Sequence, residues 1–434
     1  MKRAIILAAL LLNFPSAGLA QGQSASPSGQ QSDARAHWWQ NFSLHGFLQG
    51  NFTPRIVDAD CTGMEGCSFL LGEERLQLKL AGNFASGKVG LFIKNDFYHD
   101  AVANKVDVDL REAYFDSQAH RFGLRIGRQV ITWGVGDLLF INDVFPKDWA
   151  AFFSGRLLEY LKLSSDAIKL DFHLKPASAE LVVAPRFRRD NVPSGRRLLI
   201  FDLFPGIDRV IVEPATNPKN TEVALRVYRM LKGFDVAFYA SKGFYHVPAM
   251  RPDALPSQRI ANFFPRLAVY GASAQGNGLR GVLSFEVGYY HSLDDRSGRD
   301  PSIENAESQW LVGYQKDLGG DLSVGVQYYG VLMHDYASYW QSLPKAFPAR
   351  DRYRQTLAVR VMKLLRYQTL KLSFFSIYNP NDADYFLNPE IDYKITDALS
   401  LTVGSNIFGG RHETTLFGQL DRNDNIYATL RYSF

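Results

Sequence analysis

The sequence predicts an all-β protein, a transmembrane antiparallel up-and-down β-barrel. Three observations predict it: stretches in which apolar and polar residues alternate, connections that are short and long in turn, and an aromatic C-terminal residue. Alternation at period two gives a strand one apolar face and one polar face. Aromatic residues make up 13% of the chain, yet the mean hydropathy is only −0.16. This combination is typical of a chain that crosses a membrane with strands, because only every second residue meets lipid.

The N-terminal residues predict a secretory signal peptide. Lys2 and Arg3 precede the apolar run AIILAALLL, and the small residues Gly18 and Ala20 come shortly after it. A charged start, a short apolar run and a small-residue cleavage site are the three parts of such a signal. We therefore expect 1–20 to be removed, 21–40 to form a disordered periplasmic lead-in because it is polar and low in complexity, and 41–434 to form one barrel.

The connections between the alternating stretches predict the number of strands. Short connections fall near 83–88, 117–120, 175–179, 231–233, 275–278, 317–321, 364–368 and 396–399. Long ones fall near 53–72, 99–106, 130–165, 188–219, 248–265, 293–305, 335–351, 379–384 and 410–423. Outer-membrane barrels have short periplasmic turns and longer outer loops. We therefore expect 18 strands with both termini on the periplasmic side; 16 strands is the alternative, because 107–116 is ambiguous, and a pair of secreted β-sandwiches is the rival fold.

The last ten residues, NIYATLRYSF, place a row of apolar side chains on one face of a strand. Ile426, Ala428, Leu430, Tyr432 and Phe434 alternate with mostly polar residues. This ending resembles the C-terminal signature of Gram-negative outer-membrane proteins, an aromatic end on an alternating strand that the barrel-assembly machinery recognises. The resemblance implies that Phe434 is an assembly signal and that the barrel lies in the bacterial outer membrane.

A second resemblance concerns the hairpin that precedes the longest connection. The sequence LREAYFDS at 110–117 is followed by GRQ at 127–129, at the end of the next strand. This pattern is similar to that of several Gram-negative porin families, including general porins and alginate-export-type barrels. The resemblance implies a porin, and in general porins the third loop folds into the barrel and narrows it.

The third long connection, 130–165, is too apolar to lie in solvent. Its large apolar residues are Trp133, Leu138, Leu139, Phe140, Ile141, Val144, Phe145, Trp149, Phe152 and Phe153. Asp148 is placed to cap a short helix. We expect this connection to pack against the inner wall or across the mouth, with Asp137, Asp143, Asp148 and Arg156 facing the passage as pore constriction. The alternative is a cap on the outer rim that touches no solute.

The polar positions of the strands predict the wall of the pore. The inward residues that we expect to line it are Arg111, Arg125, Lys169, Arg226, Arg280, Arg360 and Glu286. Because a charged ring biases which ions enter a pore, the excess of arginine and lysine predicts a mild anion preference. The alternative is that these charges pair across neighbouring strands and only keep the wall hydrated.

The two cysteines lie close together in the sequence DADCTGMEGC. Outside the cytoplasm cysteines persist as disulfides, so we expect Cys61 and Cys67 to form one that closes a loop tip. A metal site needs more ligands than this segment offers.

Composition and motifs argue against other classes of function. Without Lys2 and Arg3, 46 of the 48 basic residues remain against 44 acidic ones, which gives no strong field for nucleic acid. The G-x-G-x-x-G match at 276–281 lies in a turn between strands, whereas a dinucleotide site needs it between a strand and a helix. We find no zinc-protease or serine-hydrolase motif, and we therefore expect no enzyme, no cofactor and no metal.

The sequence thus predicts an outer-membrane porin for passive diffusion of small hydrophilic solutes. Its expected partners are outer-membrane lipid and lipopolysaccharide, the barrel-assembly machinery, and small polar or anionic solutes; a homotrimer and a monomer are both open. One alternative is a barrel that serves as a sheath or scaffold for a periplasmic or electron-transfer partner. Another is a hydrophobic-solute transporter.

Overall fold

The computed structural model of the chain describes residues 41–57, 65–84, 87–253, 259–345 and 347–434. The signal peptide and the lead-in predicted for 1–40 lie outside these residues. Cys61 also lies outside them, so the Cys61–Cys67 disulfide stays a prediction.

The described residues consist mainly of strands, with few and short helices. The strands are β1 (Phe42–Pro54), β2 (Phe69–Phe84), β3 (Val89–Asp100), β4 (Lys105–Ala119), β5 (Phe122–Val130), β6 (Ser164–His173), β7 (Ser178–Ala184), β8 (Arg209–Val212), β9 (Glu222–Leu231), β10 (Phe234–Phe244), β11 (Ala249–Pro252), β12 (Ile260–Phe263), β13 (Arg266–Gly278), β14 (Gly281–Ser292), β15 (Glu307–Gly319), β16 (Leu322–Met333), β17 (Tyr353–Leu365), β18 (Leu370–Asn379), β19 (Asp384–Lys394), β20 (Leu399–Gly409) and β21 (Asn425–Ser433). The helices are α1 (Trp149–Phe153) and α2 (Tyr336–Ser342), and single 3₁₀ turns lie at Leu158–Tyr160, Pro218–Asn220 and Gly418–Asn423. No helix among the described residues is long and apolar enough to cross a membrane.

Eighteen of these strands form one closed antiparallel sheet. Each pairs with the next barrel strand along the chain, and the ring closes where β21 pairs with β1, from Phe52↔Ala428 to Phe47↔Ser433. Closure removes the unpaired edges that an open sheet would expose. The predicted 18-strand barrel is therefore confirmed. The other three strands, β8, β11 and β12, form a separate small sheet from two of the long connections.

The two faces of the barrel wall follow the period of two. In β21, Ile426, Leu430 and Tyr432 are exposed, whereas Tyr427 and Thr429 between them are buried.

Phe434 continues the exposed row, and its backbone N–H and C=O each bond to Gly46 at 2.9 Å. A Cβ on Gly46 would lie 2.8 Å from the Phe434 ring. Glycine is therefore needed opposite this terminal aromatic ring.

The eight turns that the sequence predicts to be short lie at one end of the barrel, together with the first residue of β1 and the last of β21. Two of the predicted long connections are in fact short, because β3 and β18 continue further than the sequence indicates. Only 101–104 separate β3 from β4, and only 380–383 separate β18 from β19. The pairs Asp100↔Lys105 and Asn379↔Asp384 extend these hairpins through polar residues that resemble loop sequence.

One predicted turn is displaced. The segment 275–278 belongs to β13, and the turn is formed by Leu279 and Arg280, whose φ angles are 55° and 61°. Left-handed residues match the twist of a two-residue hairpin, and the cross-strand pair Asn277↔Val282 keeps the glycine-rich sequence extended.

Candidate functional site

The candidate site is the long connection between β5 and β6, residues 131–163, which we call the inner loop. It lies against side chains of the inner wall on many strands. Trp133 donates from Nε1 to Glu180 of β7 at 2.8 Å and packs on Tyr239 of β10. At the far end of the loop, Asn51 of β1 donates from Nδ2 to the carbonyl of Gly155 at 3.3 Å. The loop therefore occupies the lumen.

Glu286 of β14 anchors the first half of the inner loop. Its carboxylate accepts hydrogen bonds from the backbone N–H groups of Val135 (2.9 Å), Gly136 (3.2 Å) and Asn142 (2.8 Å), and from Asn142 Nδ2 (2.9 Å). Glu286 is only 1% exposed. Hydrogen bonds to an ionised acceptor are the stronger kind, so this predicted pore-wall residue holds the loop in place.

Two paired glycines let the loop approach the wall beside Glu286. Gly271 of β13 lies opposite Gly288 of β14. A Cβ on Gly271 would stand 1.9 Å from Asn142 Oδ1, and one on Gly288 would stand 2.6 Å from Ile141 Cγ2. Neither glycine was predicted as part of the site, although glycine at lumen-facing strand positions is a signal for close backbone approach.

Asp137 lies at the tip of the first half and meets Arg360 of β17. The guanidinium holds the carboxylate with two nitrogens, Nε and Nη2, the second at 2.7 Å from Oδ1. The backbone N–H of Asp137 donates to Gln327 Oε1 of β16 at 3.0 Å. Both charged side chains stay partly exposed. This pair thus combines a predicted constriction residue with a predicted wall residue.

Helix α1 opens the second half of the inner loop. Asp148 caps it as the sequence predicts, accepting from the N–H of Ala151 at 2.7 Å, and it also accepts from Asn191 Nδ2 at 2.8 Å. Burial raises the pKa of this carboxyl group despite these bonds. Through its bond to Asn191, Asp148 connects α1 to the neighbouring connection 185–221.

Aromatic rings attach α1 to the opposite wall. The Phe153 ring centroid lies 6.3 Å from that of Phe386 on β19, 5.7 Å from Phe408 on β20 and 6.4 Å from Phe417. Phe152 adds an edge contact to Phe386 at 5.5 Å. Such edge-to-face geometry is favourable for ring pairs. We call these five phenylalanines the ring cluster.

A buried carboxylate of β2 holds the segment after α1. Glu73 accepts from Arg156 Nη2 at 2.6 Å and from Arg75 Nε at 2.7 Å. Arg75 also bonds to Asp96 of β3. Two arginines and two carboxylates thus share a buried network, and Arg156 is bound to the wall.

Tyr160 completes the attachment. Its ring lies between the guanidinium groups of Arg75 (4.5 Å) and Arg111 (4.9 Å). Arg111 donates to the carbonyls of Glu159 and Lys162 at 3.1 and 3.2 Å. Cations over a tyrosine face are attracted by the ring quadrupole. The predicted wall residue Arg111 therefore binds loop backbone.

Two predicted constriction residues are buried, with partners on the loop itself or on the neighbouring connection. Asp143 is buried and bonds to Lys162 and to Thr132 Oγ1, the latter at 2.8 Å, and Asp148 is the buried cap of α1. Asp143 thus joins the beginning and the end of the loop. Because a buried carboxylate is unfavourable without partners, these bonds keep it in place.

The remaining predicted wall residues fall into two groups. Lys169 lies 3.1 Å from Asp171 and 3.8 Å from Glu180, Arg226 lies 3.6 Å from Glu180, and Arg125 lies over the Tyr114 ring at 4.2 Å. These three side chains find partners across strands. Arg280, by contrast, is exposed in the turn after β13, so its expected place on the wall is wrong because the turn is displaced.

The inner loop separates two cavities. Toward the long connections lies a vestibule of about 940 Å³, bounded by loop residues such as Phe140 and Trp149. Toward the short turns lies a smaller polar cavity of about 120 Å³, bounded by Asp137 and Arg360. No group of three His, Cys, Asp or Glu side chains that could hold a metal occurs within the described residues.

Comparisons with known proteins agree with this architecture. No family model matches the sequence, and no curated protein does. Acinetobacter baumannii OccAB3 is similar in structure, with a TM-score of 0.55 and 11% identity over 91% of this chain and 99% of that one. Pseudomonas aeruginosa OccK2 (OpdF), solved in complex with glucuronate, gives 0.56 and 10% over 91% and 98%. At these identities the likeness shows the fold alone, and it agrees with the barrel that the sequence predicts.

Proposed function

We propose that this protein is a channel of the bacterial outer membrane through which small solutes diffuse passively, and that it is not an enzyme. The observation that carries the proposal is the inner loop, fixed by buried polar contacts inside a closed 18-strand barrel. A barrel of this size encloses an aqueous interior, and a fixed inward loop sets the size of what passes. The fold shared with outer-membrane porins supports the same function and location.

The orientation belongs to the same proposal. The short turns and both ends of the barrel sequence would face the periplasm, and the vestibule would face the outside. Residues 1–20 would direct secretion, and Phe434, exposed beside β1, would serve as the assembly signal. Contact with lipopolysaccharide is a further expectation of this setting, and the barrel would be either a monomer or a homotrimer.

We expect ion selectivity to be weak. Most basic wall residues have acidic neighbours, as Arg226 and Arg360 illustrate. The same holds where the second half of the loop is attached, since Arg75, Arg111 and Arg156 have the carboxylates Glu73, Asp96 and Asp109 as partners. A mild preference for anions therefore rests on the number of basic residues in the wall sequence, because a charged lining biases which ions enter.

Planar-bilayer conductance tests the proposal. The folded barrel, identified by its heat-dependent gel mobility, should give a large, steady and weakly selective conductance. Deleting 134–160 should raise that conductance, because the deleted residues fill the lumen. Unchanged conductance would place the loop outside the passage. No conductance in the folded protein would overturn the channel, and a co-purifying protein would then support the sheath.

A further inference from the structure

The vestibule has an unusual lining for a passage open to water. Most of its residues are apolar, and its lining comes from the inner loop, the wall and four long connections. Its apolar residues include Phe140, Trp149, Phe201, Met250, Leu416 and Phe417. A cavity of about 940 Å³ is in the range of sites that bind small molecules, which are mostly apolar with a few polar groups.

Apolar side chains of the vestibule remain exposed to water. Phe201 is 37% exposed and Leu416 is 53% exposed, and both lie on long connections rather than on the outer face of the barrel. Lipid therefore does not cover them. Contiguous exposed apolar surface is typical of interaction sites and ligand-binding grooves, and covering it gains about 25 cal/mol per Å².

The charged groups that border the vestibule already have partners among the described residues. Arg209 pairs with Asp202, and Arg350 pairs with Glu304. Asp190 accepts from the N–H of Lys147 at 2.8 Å and from Trp149 Nε1 at 3.0 Å. An ionic solute would have to compete with these bonds, so the lining does not favour a charged one.

The vestibule does offer a polar contact. Thr414 borders it and is exposed. Its hydroxyl group can both donate and accept a hydrogen bond. A solute hydroxyl group would bond to it, while Phe140, Trp149 and Phe417 offer ring faces for the apolar body of the solute.

The second cavity has the opposite character. It is bordered by the amides Gln275, Gln315 and Gln327 and by the Asp137–Arg360 pair. A solute that leaves the vestibule toward the short turns must therefore also be soluble in water. This requirement excludes long lipids and favours small amphipathic molecules.

We propose that the vestibule selects small uncharged molecules that carry a ring and one hydroxyl group, such as aromatic alcohols, over sugars and inorganic ions. This inference rests on the proposed channel function and names its class of solute. The apolar lining binds the ring, and the fixed inner loop limits the size.

The test uses one probe, 4-nitrobenzyl alcohol, and two measurements. Added on the vestibule side of single channels, it should block the ion current in a concentration-dependent way, whereas glucose at equal concentration should not. In protein held in lipid nanodiscs, its nitro group should quench the fluorescence of Trp149, and Trp149→Phe should remove most of that quenching.

Matched variants separate binding in the vestibule from partition into lipid. Phe201→Ser and Leu416→Ser should each weaken binding about tenfold, because losing about 1.4 kcal/mol of contact corresponds to tenfold in affinity. Ile207→Ser is the control, since Ile207 is 42% exposed in the connection before β8 but does not border the vestibule, and it should leave binding unchanged. Equal effects of all three variants would overturn the inference.

The outcomes for the two proposals are distinct. A steady conductance without blockage or quenching by 4-nitrobenzyl alcohol would overturn the solute class and leave the channel intact. Quenching without any conductance would overturn passive diffusion and support a binding role for the vestibule. Equal blockage by glucose would also contradict the preference.

Discussion

The two halves of the inner loop are held to the barrel by different forces. Residues 131–148 depend mainly on directional polar bonds, above all those that converge on Glu286, with the packing of Trp133 on Tyr239 beside them. Residues 149–163 depend on the ring cluster and on arginines that share several partners. Hydrogen bonds that converge on one residue are all lost when that residue is replaced. Among packed rings and shared ion pairs, by contrast, other contacts remain after a single substitution. We therefore expect the first half to be the more sensitive to single substitutions.

The largest effect should come from Glu286→Ala. The change leaves the backbone N–H groups of Val135, Gly136 and Asn142 without their acceptor, and each unsatisfied buried group costs about 1–3 kcal/mol. We expect the first half to leave the wall, with a loss of more than about 4 kcal/mol in urea unfolding and a clear rise in conductance. Glu286→Gln, which keeps one acceptor oxygen, is the control and should lose less. Equal conductance of Glu286→Ala and wild type would contradict the anchor.

Phe153→Ala should have the next largest effect on stability but little on conductance. Removing a buried ring leaves a cavity and costs about 3–5 kcal/mol, here toward the lower end because Phe152 still contacts Phe386. Tryptophan fluorescence during urea unfolding measures the first quantity, and single-channel recording the second. A conductance as high as that of Glu286→Ala would show that the second half has no redundancy.

Asp137→Asn should affect selectivity more than stability. The Asp137–Arg360 pair is partly exposed, and such ion pairs contribute only about 0.2–1 kcal/mol. Freeing the Arg360 charge in the polar cavity should instead shift the reversal potential in a salt gradient toward anion selectivity. The matched comparison is Asp235→Asn. Asp235 lies on β10, pairs with Arg226 of β9 and is away from the loop. A larger shift for Asp235→Asn would contradict the placement of Asp137 at the constriction.

The smallest effect concerns pH. Asp424, in the connection before β21, accepts from the N–H of Phe408 at 2.7 Å, and burial raises its pKa to about 6. A raised carboxyl pKa means that the fold favours the protonated form, so this contribution to stability is present at low pH and is lost as pH rises from about 4 to above 6. Asp424→Asn should remove this loss and raise the free energy of unfolding at pH 7.5. The gain should be no more than about 1 kcal/mol, because the group is half-exposed. An equal gain at pH 4 would contradict the titration.

Much of the barrel could be predicted from local sequence. The period of two along β21 separates Leu430 and Tyr432 on the outer face from Tyr427 on the inner one, and it follows from strand geometry alone. Turn lengths then give the number of strands, which is confirmed. The errors lie where turn chemistry occurs within a strand, as at 275–278, because pairing with a neighbour can hold such residues extended.

The contacts of the inner loop could not be predicted in the same way. Glu286 and Asn142 are far apart in the chain, and their bond exists because closure of the barrel brings β14 opposite the loop. The same holds for Glu73 with Arg156 and for the glycine pair Gly271 and Gly288. The sequence places Glu286 on the wall. Whether its carboxylate lines the pore or binds the loop depends on tertiary contacts that the sequence does not show.

The sequence by itself determined the class of fold, the two faces of its strands and the segment too apolar to stay outside, because each depends on residues near one another in the chain. The tertiary structure decided which wall residues hold that segment, which charges stay paired, and that the outer vestibule is apolar while the cavity beyond it is polar. Those features depend on contacts between residues far apart in the chain, which form only when the barrel closes. No local sequence pattern predicts such contacts.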